Sequence, residues 1–461
     1  MLAPAPDSPV GPRANGAGPT PDARPLRVLM VLESDFTPQG GGGAESQVRT
    51  LALHLIRMGQ QVAVVTPLLA RGRQSTAERC EGIPVGRIRY PRLPTFGAAV
   101  MCLRLGAFLL GHGRRYDAWH VHIGHHLGAV ACLVGALIDK PVVLKISGSW
   151  ELEQGIMAPG PRKLLARKLF ARKLFARKLF GRKLFDRLAL RWLKRARVVQ
   201  AISTRIAAEL TRQGFPPERI VVLPNAVDTS RFPLRTAGRA PGAPFTAVFV
   251  GRLAEEKDLP TLLDAWAQAF PPGEEVDARL RLVGSGPLEE RLRAQVLRLG
   301  LGGQVEFLGH RDRVEGVLAD ADVGVLPSRI EGLSNALLEF MASGLPTLAS
   351  RVSGSEDFVV TGRNGWLFEV ADVPALAAAL REAKALPPER LAAMGRQARA
   401  DVEATASLDI VVGRLRSLYA AARPGTRSAR FDRRHCARRP GDISTAPRVR
   451  HNIPREEIDG D

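Results

Sequence analysis

The chain is poor in the residues that staple a fold or hold a metal. Its four cysteines stand at positions 80, 102, 132 and 436, with neither zinc-site nor disulfide-framework spacing, which fits a reducing, cytoplasmic setting. No apolar run reaches the roughly 18 residues that span a bilayer. The longest, Leu127 to Ile138, is bounded by His126 and Asp139 and reads as a buried helix. The first 25 residues hold seven prolines and no apolar core, so they read as neither signal peptide nor folded element. Aromatic residues are scarce at 5%, and no stacking platform or RNA-binding motif is visible, which counts against nucleic acid as a partner. Acidic residues are nearly missing from 162–197, where fifteen Arg and Lys face only Asp186.

That local imbalance explains the net charge of +20. Residues 162–197 carry +14 (15 minus 1) and residues 423–461 carry +4 (10 minus 6), leaving about +2 for everything else. The basic character therefore belongs to an insert and a tail, not to the body. At 461 residues the body is too long for one core, and two domains are expected.

From Leu26 onward, strand and helix patterns alternate, which predicts parallel sheets with helices on both faces. Strands are expected at 27–32, 62–66, 85–90, 118–122, 142–146, 198–202 and 220–223. After a Pro-, Gly- and Ala-rich linker at 229–244, a second series follows at 246–250, 279–283, 305–308, 323–326 and 346–349. The division is thus a tail (1–25), a first Rossmann-like domain (26–228), the linker, a second such domain (245–422) and a basic tail (423–461). A helical stretch from 374 to about 422 closes the series.

The most informative stretch runs from Pro327 to Pro346. Glu331 and Glu339 stand eight positions apart, with Ser334 or Asn335 able to cap a helix and Gly344 able to end it. At 1.5 Å per residue the two carboxylates lie about 12 Å apart along an axis. Glycosidase pairs sit about 5–9.5 Å apart, so these two suit opposite ends of one elongated ligand instead.

Three further stretches carry chemistry. Gly40 to Gly43, followed by Ala44 and Glu45, follow the first strand and open a helix, where backbone N–H groups can meet an anion. A dinucleotide oxidoreductase would use that geometry too, but its ribose-binding acid is missing, since the second strand ends in Thr66 and Pro67. A plain flexible loop is the other alternative. His120 and His122 share one face of a strand, with His125 and His126 close behind; packed core residues or a metal cluster both fit. Arg252 and Lys257, five residues apart after a buried strand, can clamp a diphosphate.

Glu331 to Glu339 with Met341 to Pro346, Gly42-Gly43-x-Glu45, Pro224 to Asp228 and Gly251-Arg252-Leu253 with Lys257 together resemble the retaining glycosyltransferases of the GT-B fold, family 4. The resemblance runs from 26 to about 420. It implies an α/β molecule of two Rossmann-like domains facing across a cleft, with the last helix crossing back to the first domain. It also implies a nucleotide diphosphate sugar donor (UDP- or GDP-sugar), a glycan or lipid-linked acceptor, no metal and no cofactor. Its implied donor site comprises Gly42, Gly43, Arg252, Lys257, Gly284, Arg311, Ser334, Asn335, Leu337 and Glu339, with His122 and Glu331 at the reacting sugar. Ala226 departs from the family's usual glycine, acceptable unless the position needs positive φ. Asp320-Ala321-Asp322 mimics a metal-binding D-x-D but reads as a helix-to-strand junction.

The repeat at 162–186 has no counterpart in that family. Its period of five winds the leucines round every side of a helix, giving no sustained apolar face. An unselected expansion, a peripheral contact with the inner face of the membrane through 162–197, and nucleic-acid binding are the three readings, the last least favoured. Two alternative functions follow: a membrane- or RNA-binding protein using the GT-B body as a scaffold, or another nucleotide-sugar enzyme such as an epimerase.

Overall fold

The computed structural model describes residues 24–37, 42–69, 74–91, 93, 96–148, 151, 186–234, 242–273 and 277–421. Most of the repeat, residues 1–23 and the basic tail lie outside the described residues.

Two sheets form as the alternating pattern predicts. The first contains β1 (Arg27–Leu32), β2 (Gln61–Pro67), β3 (Ala77–Cys80), β4 (Ile83–Ile88), β5 (Ala118–His122), β6 (Val142–Ile146), β7 (Val198–Ala201) and β8 (Ile220–Val222). Their order is β3-β4-β2-β1-β5-β6-β7-β8. The second holds β9 (Phe245–Val250), β10 (Ala278–Val283), β11 (Val305–Gly309), β12 (Val323–Leu326), β13 (Thr347–Ser350) and β14 (Gly365–Phe368), in the order β11-β10-β9-β12-β13-β14. The inner strands are buried on both faces, which is why they read as nearly continuous runs of Val, Leu and Ile.

Two strands escaped the sequence pattern. β3, Ala-Glu-Arg-Cys, is mostly exposed and has no apolar alternation, yet it pairs antiparallel with β4. Glu81 and Gly82, with φ of 52° and 84°, make the two-residue turn that joins them. β14 is only four residues long and lies at the far edge of its sheet.

In both sheets the strand order reverses beside the first strand. β1 lies between β2 and β5, and β9 lies between β10 and β12. The crevice beyond the carboxyl ends at such a switch point is where open α/β sheets bind ligands. The end of β5 and the loops after β1, β9 and β12 carry His122, Gly42, Arg252 and Glu331 to those two crevices.

The last helix, Leu408–Ala421, leaves the second sheet and packs on the first. Its Val411, Val412, Leu415 and Tyr419 share one core cluster with Val28, Met30 and Leu55. Tyr419 Oη lies 2.7 Å from His120 Nδ1. Further contacts join the two halves: Ser203 with Ser353 (2.6 Å), Thr204 N donating to Asp357 (2.7 Å) and Arg205 with Glu356 (3.1 Å).

One expectation is corrected. The helix through Phe96–Arg115 is long and apolar enough to cross a membrane by length and composition alone. A search for uncharged runs misses it because Arg104 interrupts it. Here it buries Gly97, Met101, Leu105, Gly106 and Leu109 and packs on the helix His126–Leu137, while Leu103 and Leu110 face outward.

Candidate active site

A cleft of about 1100 Å³ lies between the two sheets' carboxyl ends. Of the residues singled out above, Gly42, Gly43, His122, Arg252, Lys257, Gly284, Arg311, Glu331, Ser334, Asn335 and Glu339 all line it. Leu337 does not: its side chain is fully buried in the helix core.

The second domain's wall is built from two interleaved loops. β9 runs into Gly251, and β10 into Gly284 at φ 133°. A Cβ on Gly284 would sit 1.9 Å from the Gly251 carbonyl oxygen, and one on Gly286 would sit 2.3 Å from that of Leu253. Leu253 N donates to Ser285 O (3.0 Å), and Leu288 N to Leu253 O (3.0 Å). Only glycine permits this approach, and the result holds Arg252 at the mouth of the strand. Its guanidinium has no hydrogen bond or ion pair among the described residues.

Lys257 is different. Its Nζ pairs directly with Glu331, with both side chains largely buried. Beside it, Arg329 makes two bonds to Asp258, at 2.9 and 3.0 Å, and its backbone N–H donates to Glu256 O at 2.9 Å. Asp258 is nearly buried, adopts φ 47° and also accepts from Thr261 Oγ1. The Glu331 loop is thus stitched to the Arg252–Lys257 loop before any ligand arrives. Neither Arg329 nor Asp258 stands out in the sequence; an acid directly after Lys257 and an Arg ahead of Glu331 are the only local signals.

The helix Asn335–Ala342 starts at the cleft, with Ser334 as an N-cap that makes no side-chain cap bond. Asn335 is a bridge between domains. Its Nδ2 donates to Gly43 O (3.1 Å), and its Oδ1 accepts from Gln47 (3.2 Å) and Asn225 (3.0 Å). Gln47 also brackets Ala226, donating to its carbonyl (2.8 Å) and accepting from its N–H (2.9 Å). Ala226 is not among the positive-φ residues, so alanine there is unstrained.

Glu339 reaches the cleft from a mostly apolar helix. Burial pushes its carboxyl up to about 7; Arg231 opposes the rise and Glu315 adds to it. An acid whose folded pKa is raised costs stability from the unfolded value of about 4.3 upward, and that cost levels off above the folded pKa. Glu339→Gln is therefore expected to raise Tm by about 2–4 °C at pH 8 and by almost nothing at pH 4.5. Equal shifts at both pH values in a thermal melt would contradict this.

On the first domain's wall, Gly42 and Gly43 open the helix Gly43–Arg57, and a Cβ on Gly43 would touch the Asn335 amide at 3.4 Å. The four histidines form two ring pairs, His120 with His122 (centroids 4.1 Å apart) and His125 with His126 (4.3 Å), and their polar partners differ. His120 meets Tyr419, His125 lies 3.0 Å from Glu33, and His126 lies 3.3 Å from Asp186. His122 alone of the four lines the cleft, with an unpartnered, buried Nε2. Burial, then the neighbouring His120 and Lys145, hold it well below the ordinary histidine range, so the ring is neutral at pH 7. No group of three or more metal-ligating side chains occurs among the described residues. Asp322 accepts from Thr246 N (2.8 Å) and Asp320 faces Arg281 (3.8 Å), both structural placements.

Comparison with known proteins places this geometry in the GT-B class. Anabaena HepE in complex with UDP aligns at a TM-score of 0.65 and 19% identity, covering 86% of this chain and 100% of that one. A sucrose-phosphate synthase from Thermosynechococcus elongatus aligns at 0.66 and 21%, covering 86% and 98%. The family model "Glycosyltransferase Family 4" matches residues 41–231, and "Glycosyl transferases group 1" matches 244–384. A 2-deoxystreptamine N-acetyl-D-glucosaminyltransferase from Streptomyces fradiae is 30% identical over 370 residues, 74% of this chain and 82% of that one. The chain belongs to the group 1 glycosyltransferases. It is also 36% identical over 217 residues to a putative colanic acid biosynthesis glycosyltransferase, WcaL, of Salmonella typhimurium, covering 45% of this chain and 53% of that one. The match thus spans about half the length of that relative.

Proposed function

We propose that the protein is a retaining glycosyltransferase that moves a sugar from a nucleotide diphosphate sugar to a hydroxyl acceptor in polysaccharide or lipid-linked glycan assembly. The observation that carries this is the convergence in one cleft of Arg252, Lys257, Glu331 and Glu339 from one sheet with Gly42, Gly43 and His122 from the other. Glu339 takes the ribose hydroxyls and Arg252 and Lys257 the diphosphate. Glu331, already fixed by Lys257, faces the sugar. UDP in the HepE structure and the colanic acid role printed for WcaL support the donor class and the biosynthetic setting.

Among the described residues the carboxylates that line the cleft are Glu256, Glu331 and Glu339, and we assign none of them as a nucleophile. The sugar–phosphate bond breaks, the acceptor oxygen bonds the same face of the anomeric carbon, and the departing phosphate oxygen takes the acceptor proton. Catalysis is then positioning and charge stabilisation. A neutral His122 suits a site where positive charge develops on the sugar, because an imidazolium would oppose it.

A thermal-shift screen against UDP-, GDP- and ADP-sugars tests the donor site. One nucleotide is expected to raise Tm by several degrees, and Glu339→Ala to weaken that nucleotide by about tenfold or more, as expected when a charged hydrogen bond is lost. If none of the three shifts the melt, the donor assignment fails.

A further inference from the structure

The first sheet carries a row of polar side chains where an apolar layer would pack. Leu32, His122, Lys145 and Gln200 are successive register partners across β1, β5, β6 and β7. One layer lower, on the same face, stand Met30, His120, Val143 and Val198. Side chains two apart share a face, so His122, Lys145 and Gln200 lie under the helix Gly43–Arg57 and the last helix. They are 2%, 2% and 0% exposed.

Two members of this region are anchored. Gln200 donates to Leu223 O at 2.9 Å, and His120 meets Tyr419. The other two are not: His122 Nε2 has no partner, and Lys145 makes no hydrogen bond or ion pair among the described residues. Both line the cleft. Glu151, the acid whose charge acts on Lys145, is committed elsewhere. Its Oε1 accepts from Ser147 N (2.8 Å), Ser147 Oγ (2.8 Å) and Gly148 N (3.1 Å), and its Oε2 accepts from Gly124 N (2.7 Å).

A buried ammonium without a counter-charge is costly, and proteins normally pair it. Burial lowers Lys145 to about 8, partly offset by Glu151, so at pH 7 it remains mostly cationic. A lone cation beside a sugar that gains positive charge would slow transfer unless an anion sits between them. The ligand has to supply that anion.

We propose that Lys145, with His122 Nε2 beside it, forms an oxyanion subsite on the first domain's wall of the cleft, filled by a phosphate or carboxylate oxygen of the bound reactants. This rests on the transferase function proposed above. The oxyanion comes either from the donor's diphosphate or from an anionic group on the acceptor, such as a sugar acid or a phosphate.

The test uses the full chain, Lys145→Met and Lys145→Arg. Melting and far-UV circular dichroism first establish that each is folded; removing an unpaired buried charge is expected to leave Tm unchanged or higher. Calorimetric titration with UDP and GDP then reads the donor arm. If the oxyanion is the donor's, Lys145→Met weakens the nucleotide at least tenfold and Lys145→Arg recovers part of the loss. Wild-type affinity then falls as pH rises through about 8, where Lys145 loses its proton, and the variant lacks that decline. Glu339 in the same cleft, raised to about 7, titrates in wild type and variant alike, so the difference between the two reads Lys145. His120 is lowered to about 3 and His122 well below its ordinary range, Glu151 is raised by burial from an acidic value, and Tyr419 is pushed far up.

If the oxyanion is the acceptor's, nucleotide affinity is unchanged. Inorganic phosphate or glucuronate titrated onto nucleotide-saturated protein then binds the wild type and not Lys145→Met. Equal binding of nucleotide, phosphate and glucuronate by wild type and Lys145→Met overturns the subsite. If Arg252→Ala abolishes nucleotide binding in that same case, the donor assignment stands without it. Conversely, Lys145-dependent phosphate binding by a protein that takes no nucleotide keeps the subsite and removes the transferase reading.

Discussion

Arg252→Ala is expected to lower sugar transfer by about 10²–10³-fold while leaving Tm within about 2 °C of wild type. The size follows from what the side chain does at each stage. In the unliganded protein the guanidinium is exposed at the end of β9 and has no partner among the described residues, so folding gains little from it. In the proposed reaction it would face a diphosphate whose charge grows as the bond to the sugar breaks, and one such donor carries about 2.7–4 kcal/mol of barrier lowering. Lys257→Ala is a poorer test, although Lys257 is proposed for the same diphosphate. Removing it takes the paired cation from Glu331, a carboxylate only 18% exposed, so stability and activity fall together. Steady-state kinetics on the nucleotide sugar found by the melt screen decide the matter: a loss below about threefold would detach Arg252 from the diphosphate.

Gly284→Ala is expected to be worse than any charge deletion in the site. Its φ of 133° is a conformation that L side chains rarely adopt, and its Cβ would meet the Gly251 carbonyl at 1.9 Å. Backbone strain of about 1–2 kcal/mol and overpacking of about 1–3 kcal/mol add, which predicts a Tm drop of roughly 5–15 °C. The two loops have to separate to admit the methyl group, so nucleotide affinity falls with stability. Gly302→Ala is the control. Nothing lies within 4 Å of its Cβ position and its φ is not positive, so it leaves Tm and affinity unchanged. A folded Gly284→Ala with wild-type nucleotide affinity would show that the loops are looser than drawn.

Much of the site was legible because its residues sit beside strong local signals. Arg252 follows the buried apolar strand Phe245–Val250, Gly284 follows Ala278–Val283 with its buried Leu280, Leu282 and Val283, and Glu331 and Glu339 bracket a helix start that Ser334 and Gly344 punctuate. Lys145 was not singled out. A lysine between Leu144 and Ile146 is a polar interruption in a strand, and nothing local distinguishes a packed stem from a charge aimed at a ligand. Asn335 was read as a donor contact, yet its amide joins Gly43, Gln47 and Asn225, all more than a hundred residues away in sequence. Leu337 was assigned to the donor and lies in the core, because its helical phase places it opposite the cleft.

By itself the sequence determined most of the element types, the two α/β series, the confinement of excess charge to an insert and tail, and the glycines and cations at strand ends. These depend on interactions within a few residues: periodicity, capping, and the φ that glycine allows. Only the tertiary structure decided the order of the strands. That order puts β1 beside β5 and β9 beside β12, so that the four site loops meet. It also decided that Lys257 and Glu331, 74 residues apart, form one ion pair, and that Lys145 stands next to His122 with no ion pair among the described residues. Strand pairing and buried electrostatics act between residues distant in the chain, and no local pattern encodes which of them will be neighbours.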